Sequence, residues 1–198
     1  MLVLQEGTVV IHLETPLGDE IFSLKAGDRV LLSGTVYTAR DEAHLKIQKD
    51  GFPFNPKGAV IYHCGPVVRN NTVVAAGPTT SARMNAFTKP MIDAGVTALI
   101  GKGGMSAEVV DALKGRGVYF AFTGGCAALA ADCMALIECH YQELGMAEAV
   151  WEIRLNNLPL VVAIDSHGNN LFSRDRGWCG TSPDYFHTWN SRKSTLPS

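Results

Sequence analysis

The sequence has little that would fasten it to nucleic acid, to a membrane or to an oxidising compartment. Its 17 Lys and Arg residues are outnumbered by 19 Asp and Glu, for a formal net charge of −2, and no basic cluster breaks that balance. A phosphate backbone or an anionic lipid surface calls for a concentrated positive face, so neither is an expected partner. The longest apolar stretch, from Cys126 to about Ile137, is interrupted by Asp132. It is much shorter than the roughly 20 residues that a spanning helix needs. Cysteine is sparse as well: five residues, an odd number, with no Cys-x-x-Cys pair. That usage suits a reducing compartment better than a disulfide scaffold. The opening Met1-Leu2-Val3-Leu4-Gln5-Glu6 has neither the basic start nor the cleavage site of a secretory signal. The expectation is a soluble, cytoplasmic protein.

What is present is globular in composition: 198 residues, 46% hydrophobic and 18% charged. A chain of this length buries roughly 70% of the surface it exposes when unfolded, enough for one full core and hardly enough for two. One domain is expected over 1–172. From 173 to 198 the sequence is rich in Ser, Arg, Trp and Pro without any period, and reads as a tail.

The hydrophobic rhythm changes along the chain. The first sixty residues read as β, with short strands at 8–13 and 20–24 and a longer Val- and Leu-rich strand at 29–37. A weak helical period at 40–48 ends in the breakers of 50–56, a buried strand follows at 59–63, and 67–74 reads as a hairpin centred on Asn70-Asn71. Strands and helices then alternate: strand 73–76, helix 81–94, strand 96–100, helix 106–114, strand 117–122, a long helix at 126–140 and a last strand at 160–165. Strand and helix in turn imply right-handed βαβ crossovers and a parallel sheet packed by helices.

In such units ligands gather at the carboxyl ends of strands, beside helix N-termini. Gly77-Pro78-Thr79-Thr80-Ser81-Ala82-Arg83-Met84 is one such junction. Arg83 lies one helical turn after Thr79, so the loop reads either as a carboxylate receptor or as an ordinary Ser/Thr cap with a solvated arginine. Gly101-Lys102-Gly103-Gly104-Met105 supplies a lysine on a glycine-rich turn. It lacks P-loop spacing and reads equally as an anion site or a plain turn. Cys126, Cys133 and Cys139 are spaced along the expected long helix, poor geometry for chelation, and read as packing residues. Thr38 to His44 closes a strand with Arg40, Asp41, Glu42 and His44, either a site or a helix start with acids in its first turn. Asp165 and His167 close the last strand, as acid–base partners or as a polar turn. His63 and Cys64 end another strand and read as local packing.

These loops together carry a family resemblance. Thr-Ala-Arg-Asp-Glu-Ala-His (38–44), Gly-Pro-Thr-Thr-Ser-Ala-Arg-Met (77–84), Gly-Lys-Gly-Gly-Met (101–105), Gly-Gly-Cys-Ala-Ala-Leu-Ala-Ala (124–131), Glu-Leu-Gly-Met-Ala-Glu-Ala-Val-Trp (143–151) and Ile-Asp-Ser-His-Gly-Asn-Asn-Leu (164–171) occur in order. From about Gly27 to Leu171 the chain resembles the β subunit, or C-terminal domain, of class I iron–sulfur fumarate hydratases and L(+)-tartrate dehydratases. The resemblance implies an α/β fold of the swivelling β/β/α three-layer type with parallel βαβ units in its second part. It implies reversible hydration of a four-carbon dicarboxylate, fumarate to malate, with L(+)-tartrate as the alternative substrate. It implies a [4Fe–4S] cluster held by three cysteines of an α subunit, whose open iron acts as Lewis acid on the departing hydroxyl. This chain then holds no cluster alone, and the assembly is a homodimer or an α2β2 heterotetramer. By position, Thr79 matches the catalytic base and Arg83 a carboxylate clamp. Arg40 and Lys102 match further substrate-binding positions, and Thr80 stands beside them. No role carries over to Asp165 or His167. The reading from another class is a stand-alone module that binds a small anion on its glycine-rich loops.

Overall fold

The structure is a computed structural model that describes residues 9–173; the tail expected from 173 on lies outside the described residues except for Ser173. Among the described residues, nine strands and four α-helices follow in the order β1 (Val10–Glu14), β2 (Arg29–Thr38), α1 (Asp41–Asp50), β3 (Val60–Tyr62), β4 (Val67–Arg69), β5 (Thr72–Ala75), α2 (Asn85–Asp93), β6 (Ala98–Gly101), α3 (Ala107–Leu113), β7 (Val118–Ala121), α4 (Ala127–Ala131), β8 (Met134–His140) and β9 (Val150–Ile164).

Seven strands form one sheet in the order β1-β2-β3-β6-β7-β9-β8, and a further pairing of β2 with β9 closes it on itself. The ring β2-β3-β6-β7-β9 is a five-stranded barrel. Four of its strands are parallel, and β9 runs antiparallel to both β7 and β2. Hydrophobicity on both strand faces makes this possible. Val60, Tyr62, Ala98, Ile100, Val118 and Phe120 point into the barrel, where Val36, Ile153 and Leu160 join them. Their alternates Ile61, Leu99 and Tyr119 point outward into a second core, covered by Ala43 and Ile47 of α1, Met91 and Ile92 of α2, and Val109 and Leu113 of α3.

The sequence expectations meet this structure unevenly. The Asn70-Asn71 hairpin forms, both residues with positive φ (50° and 57°), the backbone that a tight two-residue turn between twisted strands requires. It makes its own two-stranded sheet, so the strand at 73–76 does not enter the barrel. The short strand expected at 20–24 does not form; Asp19–Ser23 is a 3-10 turn.

The long helix expected at 126–140 is corrected: it stops at Ala131, and Met134–His140 is strand β8. Alanine-rich local propensity is overridden there by pairing with the long β9, which draws Met134 and Leu136 against the barrel core. Cys126, Cys133 and Cys139 therefore do not share a helix. The last strand is also longer than expected, 15 residues rather than six. In the fold, Asn157 takes a positive φ of 53° beside the register shift at Leu32/Gly34, its N–H donates to Ser33 Oγ (2.9 Å), and Pro159 stands opposite Leu31.

Candidate active site at the rim of the parallel strands

The carboxyl ends of β2, β3, β6 and β7 make one rim. From β2 come Thr38, Ala39 and Arg40; from β3, His63, Cys64 and Gly65; from β6, Gly101, Lys102 and Gly103; from β7, Thr123 and Gly124. Across the rim lies the segment from Pro78 to Met84, fastened like a short extra strand. Pro78 bridges Cys64, Thr80 bridges Lys102, and the Thr79 N–H donates to the His63 carbonyl (2.6 Å). The Lys102 N–H donates to the Thr79 carbonyl (3.3 Å), and the Ser81 N–H to the Lys102 carbonyl (3.0 Å). Main-chain bonds to two strands thus fix Thr79 with its side chain partly exposed.

The hydroxyls of Thr79, Thr80 and Ser81 do not cap a helix. The segment runs into a 3-10 turn (Ser81–Met84), and neither that turn nor α2 has a side-chain cap bond. Among the described residues the Thr79 and Thr80 hydroxyls have no hydrogen-bond partner. Ser81 is buried, and its Oγ meets His63 Nδ1 (2.9 Å) and Tyr119 Oη (3.1 Å).

The cations differ in how firmly they are held. Arg40 lies under Gly65, where a Cβ would come within 2.9 Å of its Cδ and a guanidinium nitrogen and 2.6 Å of the Ala147 carbonyl. Glycine at 65 is what leaves room for the arginine. Arg40 Nε stands 3.3 Å from Glu148 Oε1, and the other oxygen of Glu148 accepts the Glu42 N–H (3.1 Å) at the start of α1. A carboxylate there suits the positive end of the helix. Arg83 pairs with Asp41 (2.5 Å) and is half exposed. Lys102 is exposed and has no ion-pair partner among the described residues. Each arginine keeps further N–H donors for a second anion.

Burial pushes the Cys64 thiol up to about 12, so it stays protonated beside Arg40. Burial also lowers the His44 and His63 imidazoles below the ordinary 6.5, and His44 further lowers His63. Both are neutral at physiological pH.

Asp165 and His167 stand elsewhere. β9 runs against the parallel strands, so its end lies at the opposite rim, next to the start of β2. Asp165 organises a turn by accepting the N–H groups of Ala26 (3.0 Å), His167 (3.0 Å) and Asn169 (2.9 Å) and the Asn169 side-chain amide (2.8 Å). Burial opposes its ionisation, but these bonds hold its pKa below the usual value. His167 Nε2 contacts the Phe22 carbonyl (3.0 Å). The polar-turn reading is the one the geometry supports.

Among the described residues, the one group of three His, Cys, Asp or Glu side chains with ligand atoms within 4.8 Å of one another is Glu138, His140 and Glu152. Cys64 is buried, Cys126, Cys133 and Cys139 are partly buried, and none of the four belongs to such a group. Sequence reasoning missed Tyr119, which reads as core in a buried strand, and gave Glu148 no role. It read His63 as local packing and left His44 as either a site residue or part of a helix start.

With that geometry established, comparison with known proteins is informative. The sequence profile described as Fumarase C-terminus matches residues 3–175, and the chain belongs to that family. It is 46% identical over 167 residues to a Methanocaldococcus jannaschii protein provisionally named L(+)-tartrate dehydratase subunit beta, a match covering 77% of this chain and 86% of that protein. It is 38% identical over 175 residues to the L(+)-tartrate dehydratase subunit beta of Escherichia coli, covering 83% and 87%. A third relative, provisionally named class I fumarate hydratase, from Geobacillus stearothermophilus, is 41% identical over 171 residues, which are 82% of this chain but 33% of that longer protein.

Proposed function

We propose that the chain is the β subunit of a hydro-lyase that adds water to, and removes it from, a four-carbon dicarboxylate, with fumarate and malate as the first reading. One observation carries this: Arg40, Thr79, Thr80, Arg83 and Lys102, spread over more than sixty residues of sequence, converge on one rim with two threonine hydroxyls unengaged. L(+)-tartrate is the second reading, favoured by the two tartrate dehydratase β subunits that this chain matches over nearly their whole length.

In this reading Arg40 and Arg83 receive the two carboxylates, each through donors its acidic neighbour leaves free. Thr80 and Lys102 contact the substrate between them. Thr79 takes the proton from carbon. Threonine is a weak base unaided, so it acts as its alkoxide, held ionised by the positive charge of Arg83 and Lys102, and becomes the neutral hydroxyl once it has taken the proton. We assign the [4Fe–4S] group to an α subunit, in a homodimeric or α2β2 assembly. The family's swivelling β/β/α arrangement belongs to the same proposal. Exposed apolar side chains beside the rim support a partner: Val67 and Val74 on the hairpin, Leu129 on α4, and Met146, whose sulfur accepts the Val68 N–H (3.4 Å). No described helix is long and apolar enough to cross a membrane.

The test is turnover by the anaerobically reconstituted complex of this chain with its cysteine-bearing partner, on fumarate, malate and L(+)-tartrate. Activity on either pair of substrates supports the class and identifies the member. Failure on all three, with the cluster intact, overturns it. Dicarboxylate binding by this chain without any partner would instead favour the small-anion module.

A further inference from the structure

A file of buried polar groups runs beneath the rim, and its protons can be assigned one by one. Tyr119 Oη lies 2.8 Å from the Gly103 carbonyl, which can only accept, so the phenol proton goes there. The 3.1 Å contact between Tyr119 and Ser81 then takes the serine proton, and Ser81 Oγ is left to accept from His63 Nδ1 (2.9 Å). At the other end His44 Nδ1 lies 2.7 Å from the Arg40 carbonyl and must likewise carry the proton. A neutral imidazole has a single N–H. His44 and His63 therefore both present a bare Nε2 lone pair.

Both rings are fully buried, their centroids are 5.6 Å apart, and neither Nε2 has a partner among the described residues. A buried acceptor left without a donor is costly, and here there are two, on neighbouring rings. Gly101 keeps the file open, because a Cβ there would fall 1.8 Å from Ser81 Oγ and 3.1 Å from His63 Nδ1.

We propose that His44 and His63 are positioning residues, joined by one water molecule that donates to both Nε2 atoms. The completed chain, from the Arg40 carbonyl through His44, water, His63, Ser81 and Tyr119 to the Gly103 carbonyl, sets the spacing of the rim. A water has two protons for the two lone pairs, and such bridges satisfy most buried polar groups that lack protein partners. The ends of the chain are the neighbours of function: Arg40 itself, the His63 carbonyl that holds Thr79, and the residue after Lys102.

The proposal rests on the hydro-lyase reading for its kinetic consequence but not for its structural one, and the two are tested apart. Nitrogen-15 imidazole spectra of the full chain at neutral pH should show both histidines neutral and protonated on Nδ1. A proton on Nε2 of either ring, or a charged pair sharing a proton, overturns the assignment. In the reconstituted complex, His63→Phe should lower kcat/KM by about ten- to a hundredfold, the scale of a small misplacement of catalytic groups. His63→Asn, which keeps a donor where Nδ1 stood, should recover part of that loss, and His44→Asn combined with it should fall short of the product of the single effects. Full activity in His63→Phe, His63→Asn, His44→Asn and the double asparagine variant overturns the positioning role, and if His63→Phe fails to fold, the tautomers and the three asparagine variants still decide. A wild-type complex inactive on every substrate would sink the hydro-lyase reading while leaving the tautomer result standing.

Discussion

Arg83 illustrates how a rim residue can be separated from a structural one. Its only described ion pair is with Asp41, half exposed, and exposed pairs contribute about 0–1 kcal/mol. Arg83→Ala should therefore leave the melting temperature nearly unchanged while raising KM for the dicarboxylate, with kcat falling if the substrate sits out of line. Steady-state kinetics beside a thermal melt measure both, and an unchanged KM would remove Arg83 from the substrate. Gly101 is the opposite case: Gly101→Ala forces the Ser81 hydroxyl from its place. Overpacking of this kind typically costs about 1–3 kcal/mol, readable by urea unfolding, and no loss would mean that Ser81 has another place to go. The buried histidines set a pH dependence. Burial holds both folded-state values below 6.5, and the Arg40 carbonyl and Asp41 oppose the drop at His44 without reversing it. Below about pH 6.5 the unfolded chain binds protons that the folded chain refuses, so stability falls as pH drops, by up to about 1.4 kcal/mol per unit for each histidine. Urea midpoints between pH 7.5 and 5.5 should decline, and His63→Phe should decline less steeply. A flat wild-type profile would contradict the neutral pair.

Elements were legible where local chemistry and tertiary fate agree. The strand at Arg29–Thr38 is Val- and Leu-rich and lies in the barrel, and the Asn70-Asn71 turn carries its own backbone requirement. The stretch from Cys126 to His140 was not legible, because Ala-Ala-Leu-Ala-Ala favours helix while the partner that makes Met134–His140 a strand lies in β9, distant in sequence. β9 was legible only in its last residues, from Leu160 on; its first part runs through Asn156 and Asn157, where the facing strand shifts register, and depends on pairing with β2 and β8, distant in sequence. The site was legible through motif resemblance for Arg40, Thr79, Arg83 and Lys102. Their supports were not: Tyr119, Glu148 and the buried faces of His44 and His63 acquire meaning only once β3, β6 and β7 stand side by side. A pair of substitutions checks the strand assignment. Ile153→Ala, in the barrel interior, should cost about 2–5 kcal/mol. Ile137→Ala, on the exposed face of β8, should change stability by less than about 0.5 kcal/mol. Equal effects in denaturant unfolding would contradict the inward–outward alternation.

At the scale of the whole molecule, closing β2 onto β9 gathers four strand ends into one rim and sends the end of β9 to the other. That single topological fact brings Arg40, Thr79 and Lys102 together and leaves Asp165 and His167 to organise a distant turn. In the function proposed here, this rim, completed by a cluster-bearing partner, does hydro-lyase chemistry with Thr79 as its base. The most direct measurement is kcat of the reconstituted complex carrying Thr79→Ala against wild type, on whichever dicarboxylate the wild type turns over. No cap bond is lost, so the variant should fold and melt like wild type, with kcat lower by about 10²–10⁴-fold and KM little changed. A folded Thr79→Ala complex with near-wild-type kcat would contradict the account.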